Sequence, residues 1–446
     1  MTQQGATEKY EDNELVVAIP DLAAVRGALN AISVGWGEED REERLGLALL
    51  PLRNIDAGAA EIRGNHAEVA RHVTEARRRT GTDPSGLDLI IGWLREHFSA
   101  AYDHWVPTIG KNRVIDPVRG LPYLGGGGEG DPHHLGGYGD PKTRAAANGG
   151  SNVEAPLAAQ QQQWPARPDE PGQEVRVGVL DTPLYPNPWL AGGYSAAGDH
   201  LLSDPAAGEP PLRASAGHAT FIAGLILHQA PGAQLIIRPV LDDQAVGKVW
   251  DTAKQMVSFI GSGVDILNLS FGCYTADGQP PLVLARAVSL VSAEILLVAA
   301  AGNHGNIDEL KKDGDIPDDS WAKGLTPRTP VWPAAFDEVI AVGATDGDQL
   351  AAFSPKTPWV DMTAPGVNVQ STYIKGKVTL SSPDAPETEE KFSDGFAYWD
   401  GTSFAAATVS GAIAAKIRPG RNARQALAIL RKTPKNGIGP YDGPGR

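Results

Sequence analysis

Gly401-Thr402-Ser403-Phe404-Ala405-Ala406-Ala407-Thr408-Val409-Ser410-Gly411 is the stretch on which the reading of this sequence turns. Small and apolar residues run on from it through Ile417, which describes a tightly packed, buried helix entered from a loop. Ser403 falls in the first turn of that helix, where unpaired amide hydrogens and the positive end of the dipole favour negative charge. A nucleophile lifted onto a buried helix and a plain N-capping serine both fit this pattern. Only a base and an orienting acid elsewhere in the chain separate them.

Working outward, apolar runs alternate with helical periodicity from about residue 174. Val175 to Leu180 has the composition of a strand buried on both faces, and it ends at Asp181-Thr182. Ser215 to Thr220 is a loop that enters a helix at Phe221. Strands follow at Ala233–Val240, Val264–Ser270, Ile295–Ala300 and Val339–Val342, with helices at Val246–Ile260 and Pro281–Ser292 between them. This order predicts an α/β fold, a doubly wound, mainly parallel sheet with helices on both faces. Ligands of such sheets sit at the carboxyl ends of the strands, and Asp181, Ser270 and Asn303 all fall at such ends.

The remaining chain reads as a second unit and a connection. At 446 residues the sequence exceeds one ordinary core and suggests two domains. Residues 12–110 form a small α/β or α+β domain: a strand at Leu15–Ile19, a helix capped by Asp21 with Leu22, Val25, Leu29 and Ile32 on one face, and a strand at Leu45–Leu50. Glu38 to Arg44 reads as a solvated loop. Further helices are predicted at Ala67–Arg79 and from Asp83-Pro84 onward. Residues 120–171 are rich in Gly and Pro and read as a linker or extended loops. His133-His134 within them lacks partners at ligand spacing, so no metal site is assigned.

Charge and cysteine content narrow the function classes. A net charge of −15 argues against nucleic-acid and anionic-membrane partners. Cys273 is the only cysteine, so no internal disulfide forms. Met1 to Gln4 leads into acidic residues, and no window offers the ~18 apolar residues of a membrane helix. These features lead us to expect a cytoplasmic protein.

His218, after Gly217 at a helix start, is the candidate base for Ser403; Asp181 would hold its tautomer, and Asn303 would offer an amide to a developing oxyanion. Each residue alone also has a structural role as cap, turn or core side chain. Together, in the order Asp, His, Asn, Ser along one α/β domain, they resemble the subtilisin-like serine peptidases. Val179-Leu180-Asp181-Thr182, Gly217-His218-Ala219-Thr220, Ala299-Ala300-Ala301-Gly302-Asn303 and Gly401-Thr402-Ser403-Phe404-Ala405-Ala406 carry the likeness. Val331 to Phe336, Val339 to Ala344 and Ala364 to Val367 extend it, over residues 172–434 in all.

The resemblance implies a seven-stranded parallel sheet and peptide-bond hydrolysis by Asp181, His218 and Ser403 with Asn303, on a polypeptide substrate and without a cofactor. It also implies that Ser270-Phe271-Gly272 and Gly247 pair with an extended peptide, and that Ala300, Ala301 and Gly302 wall the pocket for the residue before the cut. Phe271 lining that pocket would favour an apolar residue there. The sequence departs from the family at Pro183, Ala219 and Ala407-Thr408, and it is short of the calcium loop between Leu225 and Ala233. Leu380 to Tyr398 is an insertion with Glu387, Glu389 and Glu390, read as a solvated loop. The N-terminal domain fits either an inhibitory pro-segment or an adaptor for a partner protein. A catalytically silent, peptide-binding scaffold is the alternative to an active peptidase, with Pro183 as the distorting element.

Overall fold

The computed structural model describes residues 8–79, 83–116, 171–205, 209–312, 324–382 and 385–443. Apart from Pro171, the Gly- and Pro-rich stretch expected at 120–171 lies outside the described residues, as do His133 and His134.

In the N-terminal domain, strand Tyr10–Ala18 lies antiparallel between Leu47–Arg53 and Ile109–Ile115. The run Leu15-Val16-Val17-Ala18 lacks polar alternation because both of its faces are covered. Leu15 and Val17 pack with Leu22, Leu29 and Leu94 under the domain's own helices. Val16 and Ala18 turn the other way, into a cluster with Trp250, Val257 and Leu284 of the large domain.

Several local expectations are corrected here. Asp21 precedes helix Leu22–Ala31 but does not cap it with its side chain; its carboxylate accepts from Thr108 N at 2.8 Å and so closes the start of the last strand. The last helix, Gly86–Ala101, is capped by Ser85 in a reciprocal box with Asp88, not by Asp83. Residues expected as the loop 38–44 include a short strand, Asp40–Glu42, paired with Leu47–Leu49. Helix Ile55–Asn65 and strand Ile109–Ile115 were not foreseen.

The large domain is built on seven parallel strands in the order Tyr194–Ser195, Gln234–Pro239, Arg176–Asp181, Ile266–Leu269, Leu296–Ala300, Val339–Asp346 and Met362–Pro365. Gly439–Pro440 adds an antiparallel edge. The chain runs outward from Arg176–Asp181 to one edge and returns to Ile266–Leu269 on the other side, so the switch point lies between Asp181 and Ser270. Helices His218–Gln229 and Thr402–Ala414 share one face, with Phe221, Ile226, Phe404 and Ile413 in its core. Helices Val249–Ser258 and Leu282–Val291 cover the other. Gly411 brings the first pair together: a Cβ there would lie 2.6 Å from the Ile226 carbonyl oxygen.

The insertion expected as a loop at 380–398 is mainly sheet. Gly376–Ser382 and Ala385–Phe392 form an antiparallel hairpin, and Phe396–Trp399 pairs with Val369–Thr372. Val378, Leu380 and Phe392 are buried while Lys377 and Glu389 pair on the exposed side. That period of two was masked in the sequence by the run of acids.

The two domains share hydrogen bonds as well as a core. Asn112 Oδ1 accepts from Trp250 N at 2.9 Å, capping helix Val249–Ser258, which has no cap of its own. Asp40 accepts from Trp250 Nε1 at 2.8 Å and from Lys254 Nζ at 2.7 Å, and Arg44 donates to Val257 O at 2.8 Å near the far end of the helix. Beyond that helix, Ile115 pairs with Gly247, and Asp116 exchanges two backbone hydrogen bonds with Gly272, at 3.2 and 2.9 Å.

Candidate active site

Asp181 ends a central strand and is fully buried. Its Oδ1 accepts from Thr182 N at 2.7 Å, which holds the carboxylate toward the neighbouring helix start. His218 is the first residue of that helix, one turn earlier than the sequence suggested. Its Nδ1 lies 2.8 and 2.9 Å from the two Asp181 oxygens. Thr182 ties the elements together: its hydroxyl accepts from Ala219 N at 3.1 Å and donates to Ala216 O at 3.2 Å. Pro183 therefore leaves the carboxylate in reach of the imidazole.

Ser403 sits in the first turn of helix Thr402–Ala414, after Gly401. The ring of the next residue, Phe404, lies 5.6 Å from that of His218. The hydroxyl itself donates to Ser270 O at 3.2 Å, and Ser270 Oγ donates back to Ser403 O at 3.1 Å. Ser403 thus points at the strand edge and not at His218.

Asn303 follows Gly302, whose φ of +112° makes the turn off strand Leu296–Ala300. Asn303 Oδ1 accepts from Thr402 N at 3.0 Å, and Gly302 N donates to Thr402 Oγ1 at 3.1 Å. With its carbonyl held in this way, the amide's NH2 is the end turned away from Thr402. Next to it, burial lowers the pKa of His304 from 6.5 to about 4, and its Nε2 reaches Thr329 O at 3.0 Å. His304 is a neutral brace for the Asn303 turn.

One part of the site was not foreseen, and one lies elsewhere than expected. Asn268, inside the buried strand Ile266–Leu269, donates to Ser270 Oγ at 2.8 Å and accepts from Ser410 Oγ at 3.0 Å, linking the Ser270 edge to the Ser403 helix. An amide in an otherwise apolar strand was the available signal. Phe271 was expected in a pocket beside Ala300 to Gly302. Instead it is fully buried on the opposite side, in the cluster that holds Trp250, Leu241 and Ile115, because strand alternation sends it away from Ala300. Gly247 pairs with Ile115, at the end of strand Ile109–Ile115, and Gly272 with Asp116, the next residue.

Among the described residues no group of three or more His, Cys, Asp or Glu side chains is placed to hold a metal ion. No helix among them is long and apolar enough to cross a membrane.

Residues 172–435 match the Subtilase family. The chain belongs to that family. The subtilase similarity extends to a thermophilic serine proteinase from Bacillus sp. (strain AK1), 29% identical over 293 residues that cover 62% of this chain and 61% of that protein. Subtilisin Savinase from Lederbergia lenta is 34% identical over 215 residues, 45% of this chain and 67% of the relative. The crystal structure of fervidolysin from Fervidobacterium pennivorans, a keratinolytic enzyme related to subtilisin, covers 96% of this chain and 58% of its own with a TM-score of 0.56. At 17% identity it is a likeness of fold, and it spans both domains of this subtilase.

Proposed function

We propose that the chain is a serine endopeptidase that cuts peptide bonds through Asp181, His218 and Ser403, with Asn303 assisting. The observation that carries this reading is the buried contact of His218 Nδ1 with both Asp181 oxygens, at 2.8 and 2.9 Å. With Nδ1–H given to the carboxylate, the lone pair of the neutral ring lies on Nε2, where it can take a proton.

The Ser403 hydroxyl turns from Ser270 O to Nε2, yields its proton and attacks the scissile carbonyl carbon. Charge gathering on the carbonyl oxygen meets the Asn303 amide and the first-turn amides of the Ser403 helix. Asp181 stabilises the imidazolium. The intermediate collapses as His218 passes the proton to the leaving nitrogen, and an acyl ester remains on Ser403. Water then repeats the attack, with His218 again as base, and frees the carboxylate product. A fluorophosphonate probe tests this directly: Ser403 takes up the label and Ser403→Ala does not. An unlabelled wild-type chain, freed of its N-terminal domain, rejects the reading.

The N-terminal domain acts on this reading as an inhibitor and first substrate, in preference to an adaptor. Asp116 pairs with Gly272, and Ile115 with Gly247, the two edges expected to bind substrate. The chain beyond Asp116 leads into the stretch 120–171, and self-cleavage is expected there. Mass spectrometry of the incubated protein should find a new N-terminus within 120–171, absent in Ser403→Ala; a stable, intact and active chain favours the adaptor. We also assign the protein to the cytoplasm, on its single cysteine, which can form no internal disulfide; cell fractionation tests this.

A further inference from the structure

His218 is held by more than Asp181. Trp399, four residues ahead of Ser403, sets its indole 5.7 Å from the imidazole at 86°, while Phe404 lies 5.6 Å away at 46°. Indole and phenyl touch each other at 5.2 Å and 40°, so the two rings form walls that meet at an angle around the imidazole.

The indole is itself braced on three sides. Phe221, from the His218 helix, stands edge-on at 5.7 Å and 89°, and Tyr373 does so at 5.9 Å and 89°. Tyr373 donates to Ala214 O at 2.6 Å, in the turn that leads into His218, and packs against Phe392 of the inserted hairpin at 4.8 Å. The Trp399 backbone is paired with Val369. Every one of these aromatic rings is buried.

Such walls answer a definite need. The carboxylate fixes Nδ1 and hence the tautomer, but the torsion that swings an imidazole about its own stem is broad and has no strongly preferred value. A hydrogen bond at one ring atom leaves the far nitrogen, Nε2, free to sweep. Two rings meeting at an angle remove that freedom without competing for either nitrogen.

We propose that Trp399 is a positioning residue for His218: it holds the imidazole so that Nε2 faces Ser403 while Nδ1 stays on Asp181. The proposal rests on His218 being the general base of the reaction above. It also gives the inserted sheet a task, since Phe396–Trp399 and the hairpin form the frame that carries the indole.

The test uses the full chain with Trp399→Ala, Trp399→Leu and Trp399→Phe. It reads steady-state kinetics on a peptide substrate, the rate of fluorophosphonate labelling, and the downfield proton resonance of the Asp181–His218 hydrogen bond. Loss of the wall should lower kcat about 10- to 100-fold, with KM changed less than about threefold, because aim is lost and substrate contacts are kept. The proton resonance should broaden or vanish in Trp399→Ala, and Trp399→Phe should recover both. If Trp399→Ala does not fold, Trp399→Leu carries the same expectation.

A raised KM at unchanged kcat overturns the proposal, since Trp399 would then touch substrate. A fall in kcat with an unaltered resonance, or one that Trp399→Phe does not recover, overturns it as well. Unchanged labelling in all three variants removes Trp399 alone. Failure of the wild-type chain to label, after removal of its N-terminal domain, removes the base assignment and this proposal together.

Discussion

Glu8, Arg77, Asp88, Lys111 and Arg113 meet inside the N-terminal domain, whereas Asp181 pairs with His218, and Asn303 with the start of the Ser403 helix, at strand ends of the parallel sheet. In the first cluster Lys111 Nζ lies 3.1 Å from Glu8 and 2.7 Å from Asp88, and Arg77 and Arg113 each approach Glu8 at 2.7 Å. Burial alone would raise the pKa of both carboxylates; the surrounding cations more than offset it and hold them below the ordinary range. Each charge is met by at least one opposite charge. At the strand ends one carboxylate meets one imidazole, while the Ser403 hydroxyl donates to Ser270 O and the Asn303 carbonyl accepts from Thr402 N. Buried ion pairs mark the structural cluster, and a place at the strand ends marks the candidate site.

That contrast can be broken in either direction. Asp181→Asn conserves volume but lets His218 adopt the wrong tautomer, so turnover should fall about 10⁴-fold, as in other Ser-His-Asp triads, while the denaturation midpoint stays nearly unchanged. A large loss of stability would make the strand-end site another structural cluster. Lys111→Met should do the reverse. It leaves two buried carboxylates short of a cation, which should cost the N-terminal domain about 3–5 kcal/mol in urea unfolding and release peptidase activity instead of abolishing it.

The pH dependence separates the clusters more gently. His304 is lowered from 6.5 to about 4 by burial, so the folded chain binds fewer protons than the unfolded one across that window. Stability is full above 6.5 and falls as pH drops toward 4, by roughly 3 kcal/mol in all. His304→Phe should flatten this slope in denaturation series at pH 7, 5.5 and 4.5. Glu8 and Asp88, held low, contribute stability above the ordinary carboxylate range that is lost only at more acid pH. The smallest effect belongs to the junction: Asn112→Ala removes the cap on helix Val249–Ser258 and should weaken docking of the N-terminal domain by about 1 kcal/mol, read as faster release of inhibition.

The fold of the large domain was legible because each strand of a sheet covered on both faces is a short apolar run, and the chemistry-bearing residues stand where those runs end. Asp181, His218, Asn303 and Ser403 needed no knowledge of partners to be singled out. The hairpin at Gly376–Phe392 was missed because its acids obscured the alternation of Val378 and Leu380. Phe271 was misplaced because a motif names a residue without saying which face of the strand it takes.

The N-terminal domain shows the same limit on a larger scale. Leu15 and Val17 announced a buried strand, yet nothing local distinguished the faces of that strand or linked Asn112 and Asp40 to Trp250.

By itself the order of residues determined the alternating sheet and its strand ends and put forward four candidate side chains there, since these follow from local hydrophobic pattern. Tertiary structure alone decided that Trp399 walls His218, that the Ser403 hydroxyl rests on Ser270, and that Asp116 lies on the Gly272 edge. Those contacts join segments far apart in the chain, and only the packing of one sheet against another sets their distances.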